Sequence, residues 1–145
     1  RVRTVAADPP RIWEVLADFG AVSSWAEFVD HSCLLGHSAD GGPVGASRRI
    51  QLGRNTLVER ITEFDPPTTL GYDVEGLPRR VRRLRSRWTL RPTAPGFTEV
   101  TLASTVEIGS NPVQRLAERI FGRATVKQLD LLLAGLAKKV EDRND

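Results

Sequence analysis

The spacing of hydrophobic positions changes along the chain, and each change marks a different element. Apart from Arg3, residues 2 to 7 are β-branched or small, as in a leading strand. Asp8-Pro9-Pro10 then places a capping residue type ahead of proline at the first helical position. Ile12, Val15, Leu16 and Phe19 recur at i, i+3, i+4 and i+7 with Trp13 beside them, and Gly20 supplies a stop, so a first helix is predicted. Val22, Trp25, Phe28 and Val29 keep similar spacing, which predicts a second short helix over Ala21 to Val29.

From about residue 31 to 108 the period becomes two, interrupted by glycine and proline clusters at hairpin intervals. The pattern predicts strands near 31 to 37, 46 to 52, 56 to 64, 69 to 75, 81 to 92 and 97 to 108. Their turns fall at Asp40-Gly41-Gly42-Pro43, Gly53-Arg54-Asn55, Asp65-Pro66-Pro67, Gly76-Leu77-Pro78 and Ala94-Pro95-Gly96. Asn111-Pro112, with Gln114 three residues after the Asn, then opens a helix of the capping-box type. Its apolar positions continue to about Glu141, a length of roughly 45 Å, with Gly122 and Gly135 as places where it could bend.

Composition narrows the function classes. A chain of 145 residues is the size of one domain with one core, here expected to span 1–145. It is 40% hydrophobic and 27% charged, ordinary for a folded globular protein. Its apolar runs are too short for a membrane span or a secretory segment. The single cysteine, Cys33, can form no internal disulfide, which fits a reducing cytoplasm. There is no phosphate-cradling glycine loop, no Gly-x-Ser-x-Gly elbow and no Cys/His spacing for zinc, so no metal or cofactor is expected.

The element order, a strand, two short helices, a six-stranded meander and a long helix, resembles the START-like (SRPBCC) superfamily. That group includes polyketide cyclase/dehydrase-like bacterial proteins, birch-pollen-allergen-like proteins and plant abscisic-acid receptors. The stretch RIWEVLADFGAVSSWAEFV (11 to 29) is similar to the opening of the cyclase-like group, with a tryptophan in each helix. LVERITEFDPPTTLGYDV (57 to 74) resembles its Glu-Arg-aliphatic strand, Asp-Pro turn and Leu-x-Tyr strand, and SRWTLRPTAPGFTEVTLASTVE (86 to 107) resembles its last hairpin. The resemblance implies an α+β helix-grip fold: a curved seven-stranded antiparallel sheet around a long C-terminal helix, plus two short helices, with a cavity between sheet and helix.

Strand parity then says which side chains face that cavity. In residues 81 to 92 the even positions Leu84, Ser86, Trp88 and Leu90 form one face and Arg83, Arg85, Arg87 and Arg91 the other, so the apolar face points inward. The same reasoning gives Ile50 and Leu52, then Leu57, Glu59 and Ile61, then Leu70, Tyr72 and Val74. Val100, Leu102, Ser104 and Val106 follow in the last strand, with Phe121, Thr125, Leu129 and Leu132 opposite on the helix. The expected ligand-binding set is Ile50, Leu52, Leu57, Glu59, Ile61, Tyr72, Val74, Leu84, Ser86, Trp88, Ser104, Phe121, Thr125 and Leu129.

Glu59 stands out as a carboxylate on an otherwise apolar face, where the resemblance to the plant receptors implies a ligand-facing glutamate. It needs a partner, a water, a ligand or a raised pKa. It either serves a ligand or a proton transfer, or sits at a wet rim or pairs with a nearby arginine. Tyr72, Ser86, Trp88 and Ser104 could orient a polar group of a ligand, or serve only as core. The plant receptors anchor an acidic hormone with a lysine after the second helix, where this chain has Asp30 or His31, and their gate loop is not evident in Gly53-Arg54-Asn55. An abscisic-acid-like ligand is therefore disfavoured.

Three functions follow. The first is binding of a hydrophobic small molecule such as a lipid, polyketide or isoprenoid, by a monomer or homodimer. The second is a cyclase/dehydrase-like enzyme in which Glu59 or Tyr72 assists proton transfer. The third is an interaction module built on the basic run, since seven of the 18 arginines fall between Arg79 and Arg91. Strict alternation at 83, 85 and 87 is explained by one solvated strand face, and no aromatic or motif support for nucleic acid accompanies it, which argues against nucleic acid or membrane as partner. Arg79, Arg80 and Arg82 lie near a turn, where they could instead rim a pocket mouth and favour an acidic headgroup.

Overall fold

The period-two stretch folds as a continuous meander. In the computed structural model the described residues are 1–76, 81–108 and 112–142, with side chains described at all of these except 81, 82, 108 and 112–125. The strands are β1 (Val2–Val5), β2 (His31–Gly36), β3 (Ser47–Leu52), β4 (Asn55–Asp65), β5 (Thr69–Glu75), β6 (Val81–Ala94) and β7 (Phe97–Ile108). They form one seven-stranded sheet in the order β1-β7-β6-β5-β4-β3-β2, every neighbour antiparallel. The leading strand thus closes one edge by pairing with the last. This is the helix-grip α+β architecture that the sequence pattern and the resemblance anticipate.

Helix α1 (Pro9–Ala17) buries Ile12, Trp13, Val15 and Leu16, the expected stripe. Asp8 has the extended backbone of an N-cap, but its side chain does not cap the helix. Asp8 Oδ1 instead accepts from the Gly96 amide at 2.9 Å, tying the helix start to the β6–β7 turn.

The second helix departs from expectation. In place of a helix over Ala21 to Val29, the chain forms a 3₁₀ helix at Phe19–Ser24 with non-helical dihedrals at Ala21, followed by turns. Ser32 on β2 supplies the reason. Its Oγ accepts from the Ser23 amide at 2.9 Å and donates to the Gly20 carbonyl at 2.7 Å, satisfying backbone groups that a longer helix would bond internally. The apolar positions still point inward, since Val22, Trp25 and Val29 are buried.

Helix α2 (Pro112–Glu141) runs unbroken through both Gly122 and Gly135. Gly135 is a point of close approach: a Cβ there would lie 2.3 Å from the Trp25 carbonyl oxygen, so only glycine lets the helix seat this deeply. Beyond it, Leu136, Ala137 and Val140 are fully buried. The expected capping box at Asn111 lies outside the described residues.

Candidate functional site

Sheet register brings five polar residues of the inner face into one band. Arg48 on β3 is directly opposite Glu59 on β4, Tyr72 on β5 is opposite Ser86 on β6, and Ser86 is opposite Ser104 on β7. Glu59 is opposite Val74 and Ile61 is opposite Tyr72, so Glu59 and Tyr72 are diagonal neighbours and the band is continuous from β3 to β7. On one side of it Ile61, Leu70, Trp88 and Leu102 are packed into the core, each no more than 4% exposed. On the other side the sheet and α2 separate around a cavity of about 570 Å³.

The cavity wall is mostly apolar. Ile50, Leu52, Leu57, Val74 and Leu84 come from the sheet, Leu129 and Leu132 from α2, and Val22, Phe28 and Val29 from the segment between α1 and β2. Arg54, Asn55, Thr56 and Gly76 line it at the β3–β4 turn and the end of β5. Gly76 needs its glycine there, with φ of 85° and a would-be Cβ 3.1 Å from the Thr56 carbonyl oxygen.

Arg48 organises the polar band. Its Nε and Nη2 lie 2.7 and 2.6 Å from the same Glu59 oxygen, Oε1, and Nη1 donates to the Phe19 carbonyl at 2.9 Å. The guanidinium carbon sits 3.8 Å from the Phe19 ring centroid and 4.9 Å from that of Tyr72, so the charge lies against two adjoining aromatic rings, which meet edge-on at 5.7 Å. Both partners of the ion pair are buried, with side chains 6% and 9% exposed. Such a pair needs further hydrogen bonds and good geometry to offset desolvation; on the arginine's side the Phe19 carbonyl supplies a hydrogen bond and the two rings a cation–π contact.

Tyr72 accepts a hydrogen bond from Trp88 Nε1 at 3.2 Å. Burial, and after it the nearby Glu59 carboxylate, pushes the phenol up from 10.0 to about 12, against a smaller opposing pull from Arg48. Near neutral pH Tyr72 is a neutral hydroxyl, able to donate a hydrogen bond and unsuited to act as a base. The Ser86 and Ser104 hydroxyls pair at 2.9 Å, which leaves one hydroxyl hydrogen between them for another acceptor.

Of the residues expected to face a ligand, Ile50, Leu52, Leu57, Glu59, Tyr72, Val74, Leu84, Ser86, Ser104 and Leu129 line the cavity. Ile61 and Trp88 do not. Both have the inward parity but lie on the packed side of the band, where Trp88 stacks edge-on against Trp25 at 6.0 Å and leaves no room for a ligand. The side chains of Phe121 and Thr125 lie outside the described ones. Sequence reasoning missed Arg48, although it shares the parity of Ile50 and Leu52 and so belonged to the inward set. It also missed Phe28 and Gln128, which come from a turn and from a helix face that strand parity does not address.

The outer face of β6 behaves as a solvated strand. Arg83 and Arg85 both reach Asp73, Arg87 reaches Glu63 and Arg91 reaches Glu99. Arg79, Arg80 and the Arg82 side chain lie outside what is described. Among the described residues no cluster of three or more His, Cys, Asp or Glu could hold a metal, and no helix is long and apolar enough to cross a membrane.

Residues 1–141 match the family described as polyketide cyclase/dehydrase and lipid transport. The chain belongs to this family. Among solved structures, the Zhui aromatase/cyclase from a Streptomyces species is similar over 100% of this chain and 93% of its own, with a TM-score of 0.83 at 18% identity. A START superfamily protein from Mycobacterium smegmatis is similar over 98% and 95% of the two chains, with a TM-score of 0.72 at 19% identity. A protein from Thermobifida fusca solved by NMR is 26% identical over 97% of this chain and 90% of its own, with a TM-score of 0.75. No curated protein matches the chain. At these identities the Streptomyces and Mycobacterium likenesses establish the helix-grip fold, and this polyketide cyclase/dehydrase and lipid transport family member must be read for function from its own cavity.

Proposed function

We propose that the chain acts as one unit over residues 1–145 and holds an apolar small molecule, of lipid, polyketide or isoprenoid kind, between the sheet and α2. The observation that carries this reading is the cavity of about 570 Å³, walled by aliphatic side chains and ended by a fixed polar band. Its size falls within the range of ligand pockets, and a mainly apolar lining with few convergent polar groups is the usual composition of one. At the ~30 Å³ that one water occupies in the liquid, it has room for on the order of 20 non-hydrogen atoms.

The family name also contains cyclase chemistry, and that alternative would need Glu59 or Tyr72 to move a proton. Glu59 is committed through Oε1 to Arg48, and the Tyr72 phenol, pushed up to about 12 chiefly by burial, is a weak acid, so the arrangement favours holding a ligand over proton transfer. The paired arginines of β6 favour a solvated face over an interaction surface. The lone, exposed Cys33 fits a reducing cytoplasm, the location we assign. Titration with Nile red, an apolar fluorescent probe, tests the reading. Saturable one-to-one binding supports it, and no binding at any protein concentration contradicts it.

A further inference from the structure

Glu59 makes an asymmetric ion pair. Both Arg48 contacts fall on Oε1, at 2.7 and 2.6 Å, and no described residue hydrogen-bonds the other oxygen, Oε2. Buried side-chain nitrogen and oxygen atoms with no partner and no access are confined, among the described residues, to Trp25 Nε1. Oε2 is therefore unpartnered yet reachable, on a residue that is 7% exposed and lines the cavity. A carboxylate oxygen in such a place has strong capacity to accept a hydrogen bond, and leaving that capacity unused in an apolar cavity is costly.

What could satisfy it is limited by the neighbours. Arg48 presents its charge to Glu59 and to the Phe19 carbonyl, with ring faces of Phe19 and Tyr72 close to the guanidinium. An anion arriving there would meet a neutralised arginine and the lone pairs of Oε2. A neutral hydroxyl could donate to Oε2 and at the same time accept from the Tyr72 or serine hydroxyls of the same band. We propose that the inner end of the cavity reads a neutral hydroxyl on an otherwise apolar ligand, which donates to Glu59 Oε2, and that it rejects a carboxylate at the same place. This inference rests on the cavity binding an apolar molecule and adds which group that molecule carries inward.

The test compares rigid probes of one shape against the whole chain: phenanthrene, hydroxyphenanthrene, methoxyphenanthrene and phenanthrene carboxylate, each by displacement of Nile red. Hydroxyphenanthrene should bind about tenfold tighter than phenanthrene, the factor one net hydrogen bond supplies. Methoxyphenanthrene, which accepts but cannot donate, should fall back to the level of the parent, and the carboxylate should bind weakest. In Glu59→Gln the hydroxyl advantage should shrink to within about threefold and the carboxylate should gain on the other probes, since an uncharged amide replaces the acceptor. If that variant does not fold, the comparison of hydroxyl with methoxy in the unaltered protein still decides. Equal affinity for all four probes would overturn the hydroxyl reading while leaving the cavity as a binding site. Displacement by none of them, in a protein that binds no Nile red, would overturn both.

Discussion

The same chemical pair, arginine with a carboxylate, occurs on both faces of the sheet, and the two faces use it differently. On the outer face Arg87 and Glu63 meet at 2.9 Å with side chains 56% and 43% exposed. On the inner face Arg48 and Glu59 meet at 2.6 Å with almost no exposure, backed by a backbone carbonyl and two aromatic rings. Outside, water already solvates both charges, and the pair adds little to stability. Inside, each charge depends on the other, and what the pair fixes is the position of one oxygen that no described residue hydrogen-bonds, at the end of an apolar cavity. The outer pair makes a single contact and the inner pair two contacts on one oxygen, but the larger difference lies in burial.

The largest effect expected from this contrast comes from halving the inner pair. Arg48→Ala leaves Glu59 buried and uncompensated, and should cost about 3–5 kcal/mol in urea unfolding. Replacing both partners, as Arg48→Met with Glu59→Leu, should return stability to within about 1 kcal/mol of the original or raise it, because a buried pair is weak net support once neither charge remains. A double variant as unstable as the single one would mean that the pair is a net source of stability.

An intermediate effect belongs to Tyr72, which borders the inner pair. Its folded-state value of about 12 lies above the ordinary 10.0, so the folded state keeps the phenolic proton longer than the unfolded chain does. This contribution is therefore fully present below pH 10.0 and is lost as pH rises from there to about 12, a decline on the order of 2–3 kcal/mol. Tyr72 is the only tyrosine, so ultraviolet titration of the phenol reports this group alone, and Tyr72→Phe should flatten the decline. The smallest effect should come from the outer face. Arg87→Ala should change stability by less than about 1 kcal/mol, and added salt should erase what change there is.

How much of this was legible in the sequence depended on what period-two spacing can encode. Six meander strands were readable to within one or two residues because alternation and Gly/Pro turns mark both ends, as at Thr69–Glu75 between two turn clusters. The face of each side chain was readable for the same reason. The second helix was misread because its apolar spacing is helical while its backbone bonds go to Ser32, a residue whose proximity only the fold supplies. Parity also told which face Ile61 and Trp88 occupy, but not how far along the strand the sheet and helix part, and so assigned both to the cavity. Arg48 was within reach of the same reasoning that named Ile50 and Leu52. Glu59 was singled out as a carboxylate in want of a partner, and its partner stood at the next inward position of the adjoining strand.

The most direct measurement is Nile red binding to the unaltered protein and to Leu84→Trp, which places an indole inside the cavity from near the start of β6. Circular dichroism would confirm that the variant keeps its fold. Saturable one-to-one binding to the original chain is expected, with a loss of at least about tenfold in the filled one. Equal binding to both would place the probe elsewhere on the molecule and contradict the account.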